Sequence, residues 1–114
     1  MITNEHIAAY TDAIIADFGR FQSQCKNSPS NRTPDARYAE LMTNFRAGLQ
    51  VRPGKKYIKI VSRNSAHSFI VVEPTGKFKS GDILKAAGWA VPAKNFARGN
   101  VIERKYEQIQ WTGA

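Results

Sequence analysis

The sequence predicts an α+β protein: two N-terminal amphipathic helices, then a small antiparallel sheet with an ordered basic loop. Two helical stripes lie before residue 50, the pattern changes to short β-branched and aromatic runs after it, and the excess positive charge is confined to the second half. The chain has 114 residues, which makes one domain over 1–114, divided into a helical oligomerisation half (1–50) and a basic ligand-binding sheet half (51–114).

Asn4 is placed to cap a first helix running from about Glu5 to Gln24, with Glu5 in the first turn where the macrodipole favours an acid. Its stripe is Ile7, Thr11, Ile14, Phe18, Phe21 and Cys25, and Asp12, Asp17 and Arg20 fall off it as a solvated face. A polar loop over 26–32 leads to Thr33 as N-cap and Pro34 at the first helical position. The second helix carries the stripe Tyr38, Leu41, Met42, Phe45 and Leu49, and Gly48 marks where it frays or ends.

Beyond Val51, Pro53 and Gly54 punctuate the chain, and Tyr57–Val61 reads as a strand with His67–Glu73 as its hairpin partner across Arg63, Asn64 and Ser65. Pro74, Thr75 and Gly76 form the next turn. Lys77–Lys79 and Asp82–Ala87 give two short strands, or a strand and a bend. Residues 89–101 fit neither template and read as an ordered loop with room for one helical turn, and Glu103–Trp111 as a last strand with Glu107, Ile109 and Trp111 on one side.

Composition bounds the function. No apolar run approaches the roughly 18 residues of a membrane span, and no signal-peptide pattern opens the chain, so a soluble cytosolic protein is expected. One cysteine and two histidines are too few for structural zinc. Cys25, closing an apolar stripe, reads as a buried small hydrophobe. The first 50 residues hold five cations and five acids; residues 51–114 hold twelve cations against four acids, which is the whole net charge of +8. A field of that sign gathers phosphate-bearing ligands.

Thr75-Gly76-Lys77 resembles half a P-loop, but Val71 stands at the first glycine position and Phe78 where a hydroxyl should hold Mg²⁺. His67 beside Ser62, Ser65 or Asp82 lacks any nucleophile-elbow context, so no catalytic residue, metal or cofactor is assigned. The segment 81–100 is richer. Lys85, Lys94 and Arg98 supply phosphate partners, Asn100 a base- or ribose-directed amide, and Gly99 a backbone able to approach an anion. Phe69, Trp89 and Phe96 offer stacking surface for a base.

The blocks Lys56–Val61, Ser68-Phe69, Gly81–Ala87, Trp89, Pro92–Lys94 and Arg98-Gly99-Asn100 resemble the Thoeris anti-defence sponge family of small phage proteins. The likeness covers about residues 51–103. It implies a non-enzyme that binds cyclic ADP-ribose isomers, and in some members cyclic di- and trinucleotides, and withholds them from a defence effector inside the infected bacterial cell. The helical stripe suits a dimer through the helices, and the resemblance implies a larger homo-oligomer, a hexamer, with ligand contacts on Phe69, Ser80 and Arg98. The full candidate binding set is Phe69, Ser80, Asp82, Lys94, Arg98, Gly99, Asn100, Arg52 and Trp89. The rival readings are a single-stranded nucleic-acid binder built on the same basic, aromatic sheet, a protein-interaction factor, and an enzyme that cleaves the signal.

Overall fold

The computed structural model describes residues 2–26 and 35–114. Helix α1 spans Asn4–Lys26 and α2 spans Asp35–Ala47; five strands follow, β1 (Leu49–Pro53), β2 (Tyr57–Ser62), β3 (Ser65–Val71), β4 (Asp82–Lys85) and β5 (Gly99–Asn100). The strands form one antiparallel meander in the order β1-β2-β3-β4-β5. The expected α+β architecture is present.

Thr3, rather than Asn4, caps α1: its hydroxyl accepts the His6 N–H at 3.3 Å, and its own N–H donates to His6 Nδ1 at 3.0 Å. The buried face of α1 is Tyr10, Ile14 and Phe18, with Ile7 partly covered and Phe21 exposed. Tyr10 replaces Thr11 in the expected stripe because its hydroxyl finds a partner inside, Ser68 Oγ at 2.7 Å. Asp17 also departs from the expected solvated face, since its Oδ2 accepts the Trp111 N–H at 2.8 Å. The Thr33–Pro34 start signal and the side chain of Cys25 lie outside the described residues. No described helix is long and apolar enough to cross a membrane.

Leu49 belongs to β1 and not to α2, which stops at Ala47. Gly48 turns the chain: its N–H closes the helix on Asn44 C=O, and its C=O accepts the Arg63 N–H, so the helix end is stitched to the β2–β3 turn. In that two-residue turn Arg63 and Asn64 both have positive φ, 50° and 65°, the geometry whose twist matches the flanking strands. Lys77–Lys79 is not a strand. Thr75 and Phe78 exchange both backbone bonds around Gly76, at φ 56°, and this drops the Phe78 ring into the core. Glu103–Trp111 is not a strand either. Asn100 and Lys105 pair across a reversal, and the segment then bonds its backbone through turns and side chains, with no strand beside it among the described residues. Residues 89–101 hold no helical turn and are not a loop throughout: Pro92 bridges to Ala86, and Gly99–Asn100 form β5.

Over β2 to β4 both sheet faces are covered. On one side Ile60, Ile70 and Ile83 pack with Tyr10, Ile14, Phe18 and Phe45 of the helices and Ile109 of the C-terminal segment. Phe18 stacks on Phe45 with centroids 4.1 Å apart, and Trp111 meets both edge-on, so one aromatic cluster joins α1, α2 and the C-terminal segment. On the outer side Phe69, Val71 and Leu84 pack with Phe78, Ala86 and Ala97 of the loops. Burial on both sides explains why Phe69-Ile70-Val71 is a continuous apolar run.

A buried polar chain crosses the helix-side layer. Tyr10 Oη lies 2.7 Å from Ser68 Oγ, Ser68 Oγ 2.9 Å from His67 Nδ1, and His67 Nε2 2.8 Å from the Gln110 carbonyl. The carbonyl only accepts, so Nε2 carries the proton, Nδ1 accepts from Ser68, and Ser68 accepts from Tyr10. Burial pushes the Tyr10 hydroxyl well above its ordinary range and the imidazole below its ordinary value, the latter opposed by the bond to Gln110. An unfolded chain takes up a proton on His67 near pH 6.5 that the folded chain refuses, so the unfolded state binds more protons and stability rises with pH. We therefore expect full stability above about pH 6.5 and a progressive loss below it. Denaturant titrations between about pH 5 and 7.5 test this; His67→Gln should cost roughly 1–3 kcal/mol at neutral pH and flatten the slope.

Candidate functional site

The outer face carries the cations. Register places Arg52, Lys59, Phe69 and Leu84 in one row across β1 to β4, with two cations at the β1 end and two buried apolar residues in the middle. After β4 the chain folds back as a tight return over 86–92. Ala86 pairs with Pro92, and the N–H groups of Ala87 and Gly88 both donate to Val91 C=O, at 2.9 and 3.1 Å. Ala86, Ala87, Gly88 and Ala90 keep this return slim, and Trp89 stands at its tip.

The Trp89 indole is 48% exposed and has Lys59 Nζ 3.9 Å and the Arg52 guanidinium 5.4 Å from its ring centre. Arg52 in turn donates to Gln50 Oε1 at 3.1 Å. Among the described residues no carboxylate forms an ion pair with Arg52 or Lys59. A cleft of about 350 Å³ opens beside the indole, between the 86–89 segment and Asn64, Ser65 and Ala66 of the β2–β3 hairpin. Such a cation pair on a π-face draws an anion with a planar ring, which can share the indole while the cations meet its charge.

A second aromatic–cation pair lies toward the opposite edge. The Arg98 N–H bonds Ile83 C=O at 2.7 Å, and its guanidinium sits 3.9 Å over the half-exposed Phe96 ring. Its Nε is buried without a hydrogen-bond partner. Lys77 Nζ donates to the Asn95 carbonyl and closes the base of this loop, while Lys94 is exposed.

Ser80, Asp82, Gly99 and Asn100 come together, but as a structural knot. The Asn100 amide donates to Asp82 Oδ1 at 2.9 Å and to Ser80 C=O at 3.2 Å, and its Oδ1 accepts the Ile102 and Glu103 N–H groups at 2.8 and 2.9 Å. Asp82 Oδ2 accepts the Lys79 N–H, and Ser80 Oγ donates to Val72 C=O. Gly81 holds φ 90° with Asn100 and Ile102 against it, and a Cβ on Gly99 would collide with the Lys105 carbonyl. These side chains spend their bonding capacity internally. Phe69, 3% exposed, lies edge-on to Tyr57 beneath the 86–97 segment, so a base reaches it only if that segment lifts. Arg52, Trp89, Lys94 and Arg98 are the accessible members of the expected set, and Lys59 is the one that sequence reasoning missed. Its alternation with Tyr57 on one strand face was the available signal.

His67 and Ser68 do bond each other, but Ser68 is fully buried and its oxygen cannot meet an external substrate. Among the described residues no cluster of histidine, cysteine or carboxylate groups has metal-site geometry.

Fold and face together define a small α+β protein with a cationic, aromatic sheet surface. The chain belongs to DUF7717, a family of unknown function whose model matches residues 3–114. No curated protein and no solved structure matches it.

Asn100→Ala strands the Asp82 carboxylate and three backbone groups at once, and we expect roughly 2–4 kcal/mol lost in chemical denaturation. Lys94→Ala should fall within about 0.5 kcal/mol of the parent.

Proposed function

We propose that this protein binds a small nucleotide and holds it without turnover, acting as a sponge for a cyclic nucleotide immune signal such as a cyclic ADP-ribose isomer, with cyclic di- and trinucleotides as related ligands, inside an infected bacterial cell. One observation carries the reading: an exposed indole at the tip of a pinned return, backed by two cations that have no acidic partner among the described residues. The indole offers a stacking face to a base and the cations offer charge to a diphosphate. Holding without turnover is supported by the sealing of the His67–Ser68 pair inside the core. The similarity of residues 51–103 to the sponge family points the same way.

The Phe96–Arg98 pair favours a second reading, a single-stranded nucleic-acid surface on which successive bases stack at two places. Strand-length dependence and a steep salt slope separate it from a saturating pocket.

The test is to incubate the protein with cyclic ADP-ribose isomers and cyclic di- and trinucleotides, filter, denature by heat, and weigh the filtrates by mass spectrometry. A ligand that vanishes from the first filtrate and returns intact supports the sponge. One that returns altered, or none that vanishes, overturns it. Trp89→Ala and Lys59→Ala should each weaken retention about tenfold or more while leaving the thermal midpoint in place.

A further inference from the structure

The two sheet edges differ. β5 is a two-residue strand, and Asn100 pairs onward with Lys105, which covers that edge. β1 is five residues long, is exposed from Gln50 to Pro53, and among the described residues has no strand on its outer side. Because Arg63 N–H donates to Gly48 C=O and the β1–β2 register is unbroken, antiparallel alternation turns the N–H and C=O of Val51 away from β2. Val51 is also 40% exposed, a β-branched apolar side chain in the centre of an open edge. Such an edge is a template for strand pairing.

We propose that a second copy of this chain docks on β1, antiparallel and centred on Val51, so that the two sheets continue into one. A two-fold axis at Val51 makes the strand complementary to itself. Val51 exchanges both outward backbone bonds with Val51 of the other copy and packs against it, and Gln50 of each copy lies opposite Arg52 of the other. Gln50 Oε1 already accepts from Arg52 within one chain, so the same donor–acceptor pair forms twice across the axis. Pro53, whose missing N–H faces outward, costs β2 nothing and limits the pairing to a short overlap.

The outer faces of the two copies then adjoin, and their Arg52 and Lys59 cations come within a few strand spacings of each other, roughly 5–15 Å. That repulsion is screened by salt, so association tightens as ionic strength rises, opposite to a contact built on ion pairs. The docking stands independently of what the outer face binds.

Sedimentation velocity on the full chain, across concentration and salt, tests the proposal together with Val51→Lys and Gln50→Glu. Both positions are exposed, and circular dichroism confirms that the variants fold. The wild type should move toward twice the monomer mass, more so at high salt; Val51→Lys should weaken association about tenfold or more, and Gln50→Glu should tighten it about threefold by placing an acid opposite Arg52. Amide exchange at Val51 should slow in the associated state alone. A chain that stays monomeric up to about 1 mM, or a Val51→Lys variant that associates as the wild type does, overturns it; the latter result moves the contact to the helices.

Discussion

A hydroxyl at the centre of the sheet fixes the rest of the structure. Ser68 Oγ is fully buried, and it has neighbours on two sides: Tyr10 reaches down from α1, and His67 passes the bond on to the carbonyl of Gln110. Tyr10, Ser68 and His67 have lost their water and are satisfied by one another and by the Gln110 carbonyl, which ties the rotation of α1 over the sheet to the depth at which the C-terminal segment lies. Trp111 follows from it, one residue past Gln110, and its backbone N–H closes on Asp17 while its ring joins Phe18 and Phe45. Apolar packing supplies the bulk of the stabilisation, but it is non-directional, and the polar chain supplies direction.

The outer face follows a different economy. Its core is thin, four buried side chains under a loop, and small residues bring that loop down rather than large ones filling a gap. The Asn100 amide anchors the far end with four hydrogen bonds, and the 86–92 return anchors the near end. Between the two anchors the aromatic tips project, Trp89 and Phe96, each beside a cation that forms no ion pair among the described residues. Exposed aromatic surface of this kind costs solubility unless something uses it, and the clustering of charge beside it is the physical basis for reading the face as a binding surface.

Much of the architecture was legible in the residues, because helical and alternating periods are imprinted by burial. The two helices and the β2–β3 hairpin stand where periodicity puts them, although the second strand runs over Ser65–Val71 rather than His67–Glu73 and the turn is Arg63-Asn64 alone. What escaped depended on partners distant in sequence. Tyr10 is polar enough to be passed over until Ser68, 58 residues away, gives its hydroxyl a bond. Leu49 continues a helical stripe and yet starts a strand, because Gly48 breaks the helix and β2 offers an open edge. Glu103–Trp111 alternates like a strand but has no strand beside it among the described residues. Among the candidate ligand residues, side-chain chemistry alone did not distinguish Asn100 and Asp82, which bond to each other, from Arg52 and Trp89, which face outward. The same amide serves a turn as well as a ribose, and only the coordinates of its partners tell the two apart.

The meander itself bears on how the chain reaches this state. Every strand pairs with its neighbour in sequence, and the longest strand-to-strand connection is the segment between β4 and β5, so the sheet needs no early closure of long loops. Low contact order of this kind favours rapid formation, with β2 and β3 joined by a two-residue turn as the natural starting hairpin. The contacts that dock the helices, by contrast, join residues 58 and 94 positions apart, Tyr10 with Ser68 and Asp17 with Trp111, and closing those separations costs more chain entropy than closing the hairpin.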